Sequence, residues 1–236
     1  MIDVLYIIGP LGPNFALEAM CSLRTMQKYV PDVGRVFITG RCPEFINKEK
    51  VIFTPEEDIG CPMINHWWKV KQTIEKTDIG ERFVLMYDDI FFTKPTKLTK
   101  YPFYNKGLLG ESKEGGQEYQ KCLDMTKKWL EKNNKTIYDH ELHIPCIYER
   151  EKFKELTPIF EKQKRDEHAM AVRSIYGNLF EVNTPKRTDV KIRAIEDTEN
   201  SEIMNAECIS TSDYTFPFIA APYLNKHVKK RSKWEK

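Results

Sequence analysis

The stretch Arg82-Phe83-Val84-Leu85-Met86-Tyr87-Asp88-Asp89-Ile90-Phe91-Phe92 constrains the fold more than any other. An apolar, strand-prone run stops at two adjacent carboxylates, and apolar residues resume at once. Neighbouring carboxylates repel each other unless a cation, a basic partner or water relieves them. A divalent metal is the simplest relief, because hard cations prefer oxygen ligands. An Asp-Asp pair can also be a solvated turn or a helix N-cap. A solvated turn would more often carry Gly, Ser or Asn, and here both flanks are apolar.

The rest of the chain supplies the surroundings for such a strand. Residues 4–8 read as a buried first strand closed by Gly9-Pro10 and Gly12-Pro13. The spacing of Phe15, Leu17, Met20, Leu23 and Met26 predicts a helix to about Tyr29, stopped near Pro31. Short strands are expected over 36–39 and 51–53, a helix over 66–76, and the acid-delivering strand over 83–87. Charged amphipathic helices are expected over 118–133 and 149–164. Strands alternating with helices indicate an α/β protein with a mixed, mainly parallel sheet flanked by helices. In such sheets ligands sit beyond the carboxyl ends of the strands. Gly9-Pro10, Thr39-Gly40 and Asp88-Asp89 all fall at such ends.

Length and composition fit this picture. A chain of 236 residues, 41% hydrophobic and 31% charged, suits one soluble globular domain. No domain boundary is evident within it, and a division into halves of about 1–105 and 106–236 is expected. A formal net charge of +2 announces no nucleic-acid binder. The tail from Lys226 to Lys236 is nevertheless basic and carries Trp234, which suits either a solvated terminus or a phosphate-facing lid. Cys21, Cys42, Cys61, Cys122, Cys146 and Cys208 form no CxxC pair, which suits a reducing cytosol. Met1-Ile2-Asp3 lacks a basic signal-peptide start, and no apolar stretch approaches a membrane span.

Four further clusters bear chemistry. Tyr138-Asp139-His140-Glu141-Leu142-His143 places two histidines and two acids within five residues. Imidazole serves as metal ligand or as acid and base, but the spacing is not that of HExxH. Arg173 offers a guanidinium fork shaped for phosphate. Ile209-Ser210-Thr211-Ser212-Asp213 taken alone is a capping segment. Asn65-His66-Trp67-Trp68-Lys69-Val70-Lys71 sets two indoles beside two lysines, a core pair or a stacking platform. The glycine-bearing loop from Gly107 to Gly116 lacks the Lys-Ser/Thr ending of a P-loop.

Taken in order, these segments resemble Stealth-type transferases and related GT-A-like glycosyltransferases, including compact cytosolic versions predicted in phage genomes. The matching pieces are Ser22-Leu23-Arg24-Thr25 with Lys28-Tyr29, then Val36-Phe37-Ile38, Pro62 and Asn65, and the double-Asp segment. His143-Ile144-Pro145, Arg173, Ile209 to Asp213 and Lys230 to Glu235 follow. The double-Asp segment is the specific one; the others are short.

The resemblance implies a GT-A-like nucleotide-sugar fold, a divalent metal (Mn²⁺ or Mg²⁺) and a nucleoside-diphosphate sugar, such as a UDP-sugar, as donor. It places Asp89 on the metal, with Asp88 beside it, and makes His143 a second ligand or a catalytic group. Arg173 would bind phosphate. Gly9, Pro10, Leu11, Gly12, Arg24 and Lys69 would lie near the nucleotide. Asp139, Glu141 or His143 would deprotonate an acceptor hydroxyl. One departure matters: phosphosugar-transferring members carry a glutamate where this chain has Val70, which favours simple glycosyl transfer. The acceptor is expected to be a hydroxymethylated DNA base or a glycan precursor. A binding module without catalysis is the remaining alternative.

Overall fold

The computed structural model describes residues 1–9, 14–111, 115–181, 183–222 and 228–236. Its elements run β1 (Ile2–Ile8), α1 (Phe15–Tyr29), β2 (Val33–Gly40), β3 (Ile52–Pro55), α2 (Pro62–Lys76), β4 (Arg82–Tyr87) and β5 (Ile90–Phe92). They continue with α3 (Gln117–Lys132), β6 (Cys146–Glu149), α4 (Arg150–Lys154), α5 (Thr157–Phe160), α6 (Val172–Phe180), β7 (Lys191–Ile192), α7 (Ser201–Met204) and β8 (Cys208–Thr211).

Five strands form the main sheet in the order β3-β2-β1-β4-β6. The first four are parallel and β6 alone is antiparallel. Both faces are covered, so the strand sequences are apolar throughout rather than alternating. Val4, Tyr6, Ile8, Val84 and Met86 join one core with Ala19, Leu23 and Met26 of α1. Leu5, Ile7, Phe83 and Leu85 join the other, with Trp67 and Val70 of α2, Leu123 of α3 and Ile175 of α6. This is a three-layer α/β structure, and the period of two along each strand decides which layer a side chain enters. No helix among the described residues is long and apolar enough to cross a membrane.

Three topological facts position the site. First, β1 lies between β2 and β4, so the strand order reverses there and a crevice opens beyond the carboxyl ends of β1 and β4. Second, β6 is antiparallel with Leu85 opposite Cys146, so its start lies at the carboxyl end of β4. The chain entering β6 therefore brings residues 141–143 to the double aspartate. Third, a small sheet of order β5-β8-β7 grows from the chain just after Asp89. Ile90 pairs with Ser210, and Ser210 pairs with Lys191.

The helix expected over 149–164 is divided. Pro158 has no N–H to give the carbonyl of Lys154, so α4 cannot run on. Pro158 instead sits in the first turn of α5, where that donor is not needed. The basic tail is docked rather than loose. Trp234 is 2% exposed and belongs to the α1-side core. The amide of Asn47 donates to the Trp234 carbonyl at 2.8 Å, and that of Lys236 to Phe45 at 2.9 Å. Trp67 is equally buried and stacks on Phe160 at 6.0 Å. Neither indole is a platform for a base or sugar.

Candidate active site

A cavity of about 510 Å³ occupies the crevice. Gly9 at the end of β1, Tyr87, Asp88 and Asp89 at the end of β4, and Lys69 of α2 contribute to it. Lys106, Glu141, His143, Arg173 and Arg193 also line it, with Asp58, Asn65, His66 and Tyr119. Of the residues expected from sequence, Gly9, Lys69, Asp88, Asp89, Glu141, His143 and Arg173 therefore meet here. Pro10, Leu11 and Gly12 lie outside the described residues. Arg24 and Asp139 are not among the cavity-lining residues. Arg24 gives a two-pronged bond to Glu235, with Nε to Oε1 at 2.9 Å and Nη2 to Oε2 at 2.6 Å. Asp139 is 2% exposed and pairs with Lys106 at 3.5 Å.

One wall is acidic. Asp89 Oδ2 accepts from the Lys191 ammonium and, at 3.0 Å, from Ser210 Oγ. Burial pushes the Asp89 carboxyl upward, but Lys191, His143 and these bonds outweigh it and hold it below its ordinary value. Its neighbour gets less help, from Lys191 and a backbone bond only. Burial first, then the charges of Asp89 and Glu18, push Asp88 well above the carboxylate range. Glu18, in the first turn of α1, is pushed up to about 7 by burial and by Asp89 and Asp213. Three acids thus crowd round one ammonium, and Asp88 and Glu18 relieve the crowding by favouring their protonated forms.

His143 adjoins this wall. Its Nδ1 lies 2.8 Å from Asp189 Oδ2, and its amide donates to Asp189 Oδ1 at 2.8 Å. Burial raises Asp189, but the His143 bonds and charge, followed by Arg193, hold it well below its ordinary value. An ionised Asp189 can only accept, so His143 Nδ1 carries the proton. That leaves Nε2 as the ring nitrogen able to act on a ligand.

The same cavity is lined by a buried arginine. Arg173 is 4% exposed, and its Nη1 donates to the Leu142 carbonyl. Its guanidinium lies over the Tyr87 ring, 4.8 Å from the centroid. Nε and Nη2 are buried without a hydrogen-bond partner. Two unpaired guanidinium donors are costly to bury, and an anion is a ligand that could pair them. Glu141 is committed elsewhere. Its Oε1 accepts from the Ser174 amide at 2.9 Å and hydroxyl at 3.2 Å, capping the first turn of α6, which carries Arg173. Behind Arg173, His66 bridges two tyrosines: Tyr87 Oη at 2.8 Å from Nδ1 and Tyr148 Oη at 3.2 Å from Nε2. Burial and the Arg173 charge push His66 well below its ordinary value, so it is a neutral bridge.

The donor set of the acidic wall, two carboxylates and an imidazole, suits a hard divalent cation, which would take the place of the proton that the crowded acids otherwise hold. The ligands are not gathered in advance. Among the described residues, the one group of three such side chains with ligand atoms within 4.8 Å of one another is Glu118, Glu167 and His168, at the surface.

Sequence reasoning missed Glu18, Lys106, Asp189, Lys191 and Arg193. The last three carried a signal in Asp189-Val190-Lys191-Ile192-Arg193. Charged residues alternate with Val190 and Ile192, 1% and 0% exposed, as in a strand with one polar face.

No family model matches the sequence, and no curated protein does. Solved structures do. The galactosyltransferase LgtC, crystallised with donor and acceptor sugar analogs, aligns with a TM-score of 0.56 at 8% identity, over 98% of each chain. The fold is GT-A-like. A glycosyltransferase involved in glycosylation of the major capsid of PBCV-1 aligns over 95% of this chain and 100% of its own. Its identity is 10% and its TM-score 0.47, and nothing rests on it.

Proposed function

We propose that the protein transfers a sugar from a nucleoside-diphosphate sugar to a hydroxyl acceptor, as a compact relative of Stealth-type enzymes. The observation that carries this is one cavity lined both by Arg173, with two unpaired guanidinium donors, and by the crowded acids Asp88 and Asp89. A diphosphate with a divalent cation satisfies both sets of groups together. Neither a neutral ligand nor a bare phosphate does. The GT-A-like fold adds support by analogy only.

Asp88, Asp89 and His143 would hold the cation, Mn²⁺ or Mg²⁺, which when bound supplies Lewis acidity toward the diphosphate. The Arg173 fork would take the phosphate oxygens on which charge grows as the glycosidic bond breaks. Lys69, 2.5 Å from Asp58 Oδ1, and Lys106 and Arg193 add positive charge around the cavity. Of the three groups considered for deprotonating the acceptor, Asp139 is tied to Lys106 and Glu141 caps α6. His143 Nε2 is the one left in a position to act, as base or as ligand. Val70 is fully buried between Lys69 and Lys71, so its position offers no acid for phosphosugar transfer.

The acceptor hydroxyl belongs to a glycan precursor or to a hydroxymethylated base in DNA. Lys229, Lys230, Arg231 and Lys233 are exposed on the docked tail and could meet an anionic acceptor, although Trp234 cannot stack on a base. Binding to duplex DNA that weakens steeply with salt would select the DNA acceptor. The catalytic reading is tested by hydrolysis and transfer of a UDP-sugar panel with Mn²⁺, wild type against Asp89→Ala. Equal rates in the two proteins would overturn it.

A further inference from the structure

Lys191 is placed where a metal ion would act. It comes from the two-residue strand β7, in register with Ser210 of β8 and one strand removed from Ile90. Its ammonium donates to Asp89 Oδ2 and to the Thr211 carbonyl. Ser210 Oγ reaches the same Oδ2 at 3.0 Å. The Lys191 side chain is 14% exposed and that of Asp89 19%, so this is a largely desolvated ion pair. Asp89 lines the cavity, and Lys191 does not.

We infer that Lys191 is a built-in counter-ion for Asp89, which a divalent cation must displace before it can use that carboxylate. The inference rests on the donor-site reading above. Its physical basis is competition: two cations cannot share one desolvated carboxylate oxygen without repelling each other. The consequence is coupled binding. A divalent cation alone must break the Lys191–Asp89 pair and strand an ammonium. When a nucleoside diphosphate arrives as well, the released ammonium gains an anionic partner. Cation and nucleotide then strengthen each other's binding, reciprocally.

The experiment measures Mn²⁺ binding directly, by the free-ion electron paramagnetic resonance signal, with and without UDP. It compares wild type with Lys191→Gln and Lys191→Met. Lys191→Gln keeps a donor for the Thr211 carbonyl, and unfolding midpoints taken in the same buffer verify folding. Wild type should bind Mn²⁺ weakly alone and at least tenfold more tightly with UDP. Both variants should bind Mn²⁺ alone at least tenfold more tightly than wild type, so the gain from UDP should be smaller than in wild type. If wild type shows the UDP effect but neither variant binds Mn²⁺ alone more tightly, the counter-ion role is overturned and the donor site stands. If no protein binds Mn²⁺ under either condition, the metal reading falls and this inference with it.

Discussion

Arg173 reaches the active-site crevice from α6 by donating to the Leu142 carbonyl and laying its guanidinium 4.8 Å over the Tyr87 ring. The residue that ends β4 and the residue that leads toward β6 thus hold one buried cation between them. Glu141 fixes the helix bearing that cation through the Ser174 amide and hydroxyl. The side chain is firmly placed, yet its Nε and Nη2 remain unpaired.

Arg173→Met should separate the two roles. Removing two unsatisfied donors gains about 1–3 kcal/mol and stranding the Leu142 carbonyl loses a similar amount, so the unliganded protein should stay within about 2 kcal/mol of wild type. Binding of UDP with Mn²⁺ should weaken by about 100-fold, the scale for deleting a buried charge partner. Urea unfolding and calorimetric titration give the two numbers. Retained binding would remove Arg173 from the donor site.

Asp189→Asn should damage His143 without touching a ligand. The amide would turn a donor toward Nδ1, favouring the tautomer with the proton on Nε2. That form can neither bind a metal nor accept a proton through Nε2. Losing such a partner typically costs about 10–100-fold in metal affinity or activity. Mn²⁺ affinity in the presence of UDP is the readout, with the unfolding midpoint as the control for folding. An unchanged affinity would mean that His143 serves only the fold.

How much of this was visible in the sequence follows from contact range. Phe83 to Tyr87 is a continuous apolar run, and the acids at its end announce themselves locally. The helix over Phe15–Tyr29 has fifteen residues of periodicity, and its observed bounds match those expected. Four-residue β8 and two-residue β7 carry too little pattern to reveal that they would set Ser210 and Lys191 on Asp89. Arg24 illustrates the opposite failure. A basic residue near the first crossover looks like a phosphate ligand until Glu235, 211 positions away, returns to claim it. Glu18 resembles an ordinary first-turn acid, favourable to a helix dipole. Only the fold brings its charge near the double aspartate.

The tail gives a stability prediction. Trp234 is buried against the α1-side core, and Glu235 pairs with Arg24 in a two-pronged ion pair. Trp234→Ala should cost about 3–5 kcal/mol, as for other fully buried large side chains. A solvated terminus would tolerate the change within about 0.5 kcal/mol. Equilibrium unfolding in urea distinguishes the two outcomes.

The acidic wall gives a pH dependence. Glu18 has a folded pKa of about 7, raised by burial, Asp89 and Asp213 from an ordinary 4.5. Between those values the folded chain holds a proton that the unfolded chain has released. Stability from this group is therefore fully present below about pH 4.5 and is lost as pH rises through about 7. Asp88, raised well above its ordinary 3.8, acts with the same sign. Glu18→Gln removes one of the two contributions. Without divalent metal, wild type should lose about 1–2 kcal/mol more than the variant between pH 5 and pH 7, after allowance for solvent screening. Urea unfolding of both proteins at pH 5, 6 and 7 provides the comparison. Parallel curves would show that Glu18 is ionised across the range and that the acidic wall carries more negative charge than Lys191 and one protonated acid would leave.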